Sequence, residues 1–223
     1  ISQIEQKSNP VTIEIDSDTE ITAVFVNELE GIVSSNTTLT ASEGPYQLTD
    51  RVQVEYGTTL TLEPGVQIFG EPNARGDKNT IEVFGVLSAQ GRSDENVLLQ
   101  DVVIEPGDND EDEPYRISME HVEMRRGALY PPTGSSIYGS ITLKDSFLHE
   151  VGGDGSYIYV WYPVEDSYFE KNIFYNSGRI DAGHRNSNVY VRNNIFIRDE
   201  ELSNETGYAV ENWAAYGNSK TVV

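Results

Sequence analysis

The feature that most constrains the fold of this chain is a set of similar segments that recur at nearly constant intervals. Clear copies begin at Ile141, Ser167 and Val189, and a less regular copy begins at Ile117, so the intervals are 24, 26 and 22 residues. Each clear copy alternates apolar and polar residues, continues with a polar pair and ends with a hydrophobic pair. A repeat of this length built from short strands predicts a solenoid, because no single repeat can bury its apolar face alone.

Aligning the copies predicts which side chains lie over one another in neighbouring coils. Four columns result: Leu143, Phe169 and Val191; Ser146, Asn172 and Asn194; Phe147, Ile173 and Ile195; and Leu148, Phe174 and Phe196. Stacked strands lie about 4.8 Å apart, so we expect apolar columns to fill the interior and stacked asparagines to bond one another and the backbone. The predicted fold class is all-β, a parallel β-helix of roughly 6–8 coils.

Two strings earlier in the chain carry a family resemblance. Residues 59–68 (TLTLEPGVQI) and 81–91 (IEVFGVLSAQG) resemble the entry coils of bacterial pectin-lyase-like proteins, and residues 191–196 (VRNNIF) resemble their middle coils. The resemblance covers about residues 48–223 and implies a right-handed parallel β-helix. It is specific for the fold and weak for function, since proteins with such coils include polysaccharide lyases, glycosidases, adhesins and large surface proteins.

The two ends of the chain suggest an excised piece of a longer exported protein. Residues 9–25 are similar to the last strands of the internalin-type surface repeat, and a short β-hairpin that caps the helix is the alternative. We therefore assign residues 1–27 to a partial β-repeat or cap and residues 28–223 to the β-helix. Residues 220–223 look like the opening of another coil, so we expect neighbouring domains of a longer parent chain.

The charge of the chain limits its partners and its location. Fifteen Lys and Arg residues face 37 Asp and Glu residues, which gives a formal net charge of −22. Such a surface repels nucleic acid and anionic lipid and suits salty water. The chain has no cysteine, which excludes disulfides, and no apolar run long enough for a membrane-spanning helix. We expect a secreted or cell-surface bacterial protein, for which a marine source is one interpretation.

The candidate catalytic residues form a basic cluster, which is unusual in so acidic a chain. Its members are Lys171, Arg179, His184, Arg185 and Arg192. The resemblance implies that Arg179 or Arg185 would neutralise the carboxylate of an acidic sugar, and that Lys171, Arg192 or His184 would abstract the neighbouring proton.

An ordinary turn is the alternative interpretation of this cluster. In that case the cations pair with nearby acids such as Asp181 and Glu170, and exposed pairs of this kind contribute only about 0–1 kcal/mol. No strong catalytic motif supports the enzyme interpretation elsewhere in the sequence.

An aromatic strand is the candidate carbohydrate-binding site. Alternation along residues 157–162 (YIYVWY) places Tyr157, Tyr159 and Trp161 on one face and the residues between them on the other. If the aromatic face points outward it is a platform for sugar rings, and if it points inward it belongs to the core.

An acidic loop is the candidate metal site. Residues 107–114 contain five carboxylates, among them Asp108, Asp110 and Asp112, whose oxygen atoms are suitable ligands for Ca²⁺. The spacing does not match the helix-loop-helix calcium motif, and the alternative is a solvated loop that projects from one coil.

Taken together, the sequence favours a secreted or cell-surface module that binds carbohydrate or serves as a structural stalk. A polysaccharide lyase, or a related enzyme such as a glycosidase acting on an acidic glycan, is the alternative. An ice-binding or adhesin surface is a weaker one, for which Thr59 and Thr61 are the only hint.

Overall fold

A computed structural model describes residues 26–71, 79–129, 138–152, 157–160, 163–183, 187–199, 209–213 and 221–222. In these residues every pairing between named strands is parallel, and no α-helix occurs. The chain winds into a β-solenoid of about 6 turns, which confirms the predicted parallel β-helix. Residues 1–25, which make up most of the predicted partial repeat or cap (residues 1–27), lie outside the described part, and strand β1 begins at Asn27.

The strands in the described part of the chain form three sheets. The eight-stranded sheet contains β2 (Thr37–Leu39), β4 (Thr59–Leu62), β7 (Val86–Gln90), β10 (Tyr115–Glu120), β13 (Gly139–Lys144), β16 (Ser167–Glu170), β19 (Val189–Arg192) and β22 (Thr221–Val222). The eleven-stranded sheet contains β1 (Asn27–Val33), β3 (Tyr46–Val54), β5 (Gln67–Phe69), β6 (Thr80–Val83), β8 (Val97–Gln100), β9 (Val103–Pro106), β11 (Val122–Arg125), β12 (Ala128–Leu129), β14 (Phe147–His149), β17 (Ile173–Tyr175) and β20 (Ile195–Ile197). The three-stranded sheet contains β15 (Tyr157–Val160), β18 (Arg179–Gly183) and β21 (Val210–Trp213).

The register of the strands confirms the predicted columns. Leu143 lies over Phe169, which lies over Val191, and all three side chains are buried. In the neighbouring sheet Phe174 stacks on Phe196 with ring centroids 4.6 Å apart. The less regular copy also fits, because β10 pairs with β13 at the predicted interval of 24 residues. The apolar interior is therefore a set of continuous columns, as parallel stacking requires.

One apolar column lies outside the core, contrary to our expectation. Phe147, Ile173 and Ile195 stack as predicted, but Ile173 is 38% exposed and Ile195 is 54% exposed. The reason is that successive side chains of a strand point to opposite faces, so only one member of each hydrophobic pair can point inward. Leu148 and Phe174 are the buried partners.

Two corners of the coil are made by residues in the left-handed backbone conformation. The first corner column contains His121, Asp145, Lys171 and Asn193, and the second contains Asp101, Arg126, Glu150 and Asn176. In the second column, and in the first column up to Lys171, the corner N–H donates to a carbonyl of the next coil, as from Lys171 to Arg192 at 3.0 Å. Asn and Asp suit this conformation, whereas Lys and Glu adopt it at a cost.

A ladder of polar side chains runs inside the first corner. The Oδ1 atom of Asn172 accepts a hydrogen bond from the Ser146 N–H at 3.0 Å, and its Nδ2 atom donates to the Leu143 carbonyl at 2.8 Å. Asn194 repeats this geometry one coil further, since it accepts from the Asn172 N–H at 2.9 Å. Asn172 is fully buried, so its amide satisfies groups that water cannot reach.

Substitution of Asn172 tests this ladder. Asn172→Ala should lower the free energy of unfolding by about 2 kcal/mol, because a buried N–H and a buried carbonyl lose their partner. The measurement is chemical denaturation followed by circular dichroism. Asn36→Ala is the matched control, because Asn36 makes the same type of bond to the Thr59 N–H from an exposed position and should cost less. Equal losses in both variants would contradict the role of burial.

The close approach of neighbouring coils explains why a glycine occupies position 85. A Cβ atom added at Gly85 would lie 2.2 Å from the Glu55 carbonyl oxygen and 2.4 Å from that of Thr58. These contacts are with backbone, which cannot move without opening the stack. Gly57, in contrast, has a positive φ of 75° and open space around the position of a Cβ atom.

Alanine substitutions at these two glycines should therefore differ in how much they lower the free energy of unfolding. Gly85→Ala should destabilise the fold by about 3 kcal/mol through overpacking. Gly57→Ala should cost about 1 kcal/mol, which is the strain of the left-handed conformation alone. Denaturation midpoints measure both, and an equal cost at the two positions would refute the close approach of the coils at Gly85.

Candidate functional site

The outer face of the eight-stranded sheet carries a continuous row of hydroxyl groups. Register places one such residue on each of seven successive strands: Thr38, Thr61, Ser88, Ser118, Thr142, Tyr168 and Tyr190. Inward residues on either side, such as Leu143 and Phe169, belong to the core, so the row itself points outward. The rigid core fixes the spacing of these hydroxyl groups.

The row ends in a pair of stacked tyrosines. The rings of Tyr168 and Tyr190 are nearly parallel, at 11°, with centroids 5.1 Å apart. The Lys144 Nζ atom lies over the Tyr168 ring at 5.1 Å from its centroid, and the Arg192 guanidinium lies over the Tyr190 ring at 4.3 Å. Each ring therefore combines an aromatic contact with a cation–π contact, and the stack is held in place.

A carboxylate joins the two cations next to the rings. Glu170 lies 3.4 Å from the Lys144 Nζ atom and 3.8 Å from an Arg192 guanidinium nitrogen. The three residues occupy one register row on β13, β16 and β19, so cation, anion and cation alternate along the stack. We call Lys144, Tyr168, Glu170, Tyr190 and Arg192 the tyrosine ladder.

A second ion pair lies on the same sheet face. The Arg116 guanidinium binds both carboxylate oxygens of Glu165, one of them at 2.9 Å. This hydrogen bond lowers the pKa of Glu165 and raises that of Arg116. Both side chains are about half exposed, so water screens the pair and its contribution to stability is small.

The structure separates the predicted catalytic cations. Lys171 occupies the first corner, and Arg192 is the last residue of β19 in the eight-stranded sheet. Arg179 begins β18 in the three-stranded sheet and is mostly buried. His184 and Arg185 lie outside the described residues. The catalytic assignment of these five residues stays a prediction.

The interpretation of the basic cluster as an ordinary turn predicts ion pairs between its cations and nearby acids. Arg179 donates from Nε to the buried carboxylate of Asp181 at 2.8 Å, and Arg192 approaches Glu170. Lys171 lies 3.7 Å from Asp145, its neighbour in the first corner column. The pairing of cations with nearby acids is therefore confirmed for Arg179 and Arg192.

The predicted aromatic platform is described only in part. Tyr157 and Tyr159 lie in β15, where their backbones pair with Arg179 and Asp181. The residues between and after them, Ile158 and Val160, are buried, as the inward half of the alternation requires. The structure does not describe the side chains of Tyr157 and Tyr159, and Trp161 lies outside it. Carbohydrate binding by these three residues stays a prediction.

The acidic loop connects β9 to β10. Asp108, Asp110 and Asp112 are exposed, whereas Asn109 is buried and anchors the loop by donating to the Phe84 carbonyl at 2.7 Å. Within the described ranges, no three His, Asp or Glu side chains come together in an arrangement that could hold a metal ion. Calcium binding by the loop stays a prediction.

The tyrosine ladder was missed although the sequence contains a signal for it. Thr142, Tyr168 and Tyr190 occupy the second position of the three aligned copies, and Lys144, Glu170 and Arg192 occupy the fourth. Alternation places both positions on the outer face. The predicted columns join residues of similar type, whereas this row joins residues of opposite charge and shows no common residue type.

Comparison with known proteins adds no assignment. No family model, curated protein or solved structure matches the chain. Within its described residues the chain has no helix with the length and apolarity needed to cross a bilayer.

A substitution at Lys171 tests what its left-handed corner conformation costs the fold. Lys171→Asn should preserve the free energy of unfolding or raise it by up to about 1 kcal/mol, because Asn tolerates the left-handed conformation better. Denaturation of both proteins measures this difference. A clear loss of stability would show that the amine itself supports the fold.

Proposed function

We propose that this protein is an exported or cell-surface β-helix module that binds carbohydrate on the outer face of its eight-stranded sheet. The observation that carries the proposal is the tyrosine ladder, which joins aromatic rings, cations and a carboxylate on one rigid face. Pectin-lyase-like coils, suggested by the resemblance of residues 59–68, agree with an exported carbohydrate-binding protein.

The chemistry of the ladder suits sugar hydroxyl groups. Lysine and arginine offer several N–H donors, glutamate accepts, and a tyrosine hydroxyl does both. The row of Thr and Ser hydroxyls continues from Thr142 in the same direction and adds further donors and acceptors. All these groups are half-buried or exposed and can reach a ligand without unfolding the coils.

The ladder would hold a sugar mainly through hydrogen bonds. The ring faces of Tyr168 and Tyr190 contact each other and the two cations, so their edges and hydroxyl groups are the parts available to a ligand. This arrangement differs from the open aromatic platform that we predicted for Tyr157, Tyr159 and Trp161. A binding site of this type orients its ligand by fixed polar groups.

Replacement of a ladder tyrosine tests the proposal. Tyr190→Ala should weaken binding to the glycans that the wild-type protein selects on an array by about tenfold, or 1.4 kcal/mol, because Arg192 and Tyr168 lose their support. Isothermal titration with the selected glycan measures the change.

Tyr56→Ala is the matched control, because Tyr56 is a tyrosine 53% exposed in the turn between β3 and β4 and is not a member of the tyrosine ladder. It should bind like the wild type. If the wild-type protein binds no glycan, or if both variants bind equally, the proposal is wrong. Release of unsaturated uronate, followed by ultraviolet absorbance, would instead support the lyase alternative.

A further inference from the structure

We infer that the tyrosine ladder selects neutral glycans and rejects acidic ones. This inference rests on the proposed function and adds the class of ligand. It starts from the position of Glu170, whose carboxylate lies within 4.0 Å of both ladder cations. Any carboxylate of a ligand that approached Lys144 or Arg192 would also approach Glu170.

The local charge of the ladder is already balanced in part by the protein itself. One carboxylate serves two cations, and Glu120 occupies the same row as Lys144 one strand earlier. Along four neighbouring strands, acidic and basic side chains therefore alternate in this row. An anionic polymer gains little from such a row and meets the repulsion of a chain with net charge −22.

Neutral hydroxyl groups, in contrast, fit the spacing of these ions. The distances of 3.4 Å and 3.8 Å from Glu170 to the cations exceed those of short charge-assisted hydrogen bonds, which measure about 2.8 Å. The ammonium and guanidinium groups therefore have N–H donors to spare, and the carboxylate has lone pairs to spare. A sugar diol can donate to Glu170 and accept from a cation without separating the ions.

The arrangement of the ladder side chains also favours one orientation of the ligand on the sheet. Lys144, Glu170 and Arg192 lie on three neighbouring strands, so the row of ions runs across the strands. The hydroxyl row lies beside it and continues to Thr38. Seven strands at the usual spacing of a sheet span about 29 Å. A neutral glycan chain that lies along the stack can follow both rows.

Glu170→Gln tests the selection, because it removes the negative charge and keeps the shape of the side chain. The wild-type protein should bind neutral oligosaccharides of glucose, mannose or xylose with an affinity that changes little with salt. It should not bind oligomers of galacturonate or mannuronate. Glu170→Gln should lose about tenfold in affinity for the neutral ligand and gain binding to uronates that weakens as salt increases.

The matched control is Glu123→Gln. Glu123 also lies on the outside of a strand, and one of its carboxylate oxygens lies 2.5 Å from a guanidinium nitrogen of Arg125. It belongs to β11 in the eleven-stranded sheet. This variant changes the net charge by the same amount and should bind both classes like the wild type. Circular dichroism confirms that each variant is folded.

The possible results distinguish failure of this inference from failure of the proposed carbohydrate binding. Salt-sensitive binding of uronates by the wild-type protein, or unchanged selectivity in Glu170→Gln, would overturn the inference and leave carbohydrate binding intact. Equal changes in Glu123→Gln would also overturn it, because net charge alone would then decide. Failure of the wild-type protein to bind either class would refute the proposed function itself.

Discussion

The parallel stacking of coils is the constraint on which the rest of this structure depends. Every coil buries its apolar side chains only against the coils above and below, so the position of each inward residue is set by its neighbours. The columns through Leu143 and Phe174 show the result, since each continues in register over several strands. The register that stacks the inward side chains also stacks the outward ones, because side chains alternate between the two faces of each strand. Rows of outward side chains therefore result from the packing of the interior.

The polar ladder at the first corner maintains this register. Asn172 and Asn194 each use one amide to bond the backbone of a neighbouring coil, and Asn172 is completely buried. A slip by one residue would remove these bonds and would turn the apolar columns outward. The ordered outer rows, including the tyrosine ladder, therefore depend on buried polar contacts that no ligand touches.

Much of the fold could be predicted from the sequence, because stacking repeats similar residues at similar intervals. The columns of Leu, Phe and Asn were visible in three copies, and the structure confirms their register. The outward position of Ile173 cannot be predicted from the sequence, since a hydrophobic pair after a turn does not show which member is buried. The close contact at Gly85 was equally hidden, because it depends on carbonyl groups of another coil.

The candidate site was harder to predict, because its residues complement one another instead of repeating. Lys144, Glu170 and Arg192 share one row but have no common residue type, and only the register brings them together. This register can be tested in a chain that has no cysteine of its own. We expect that Lys144→Cys with Glu170→Cys forms a disulfide on mild oxidation, whereas Lys144→Cys with Tyr168→Cys does not. Cross-linking of the second pair in preference to the first, measured by mass spectrometry of the digested protein, would contradict it.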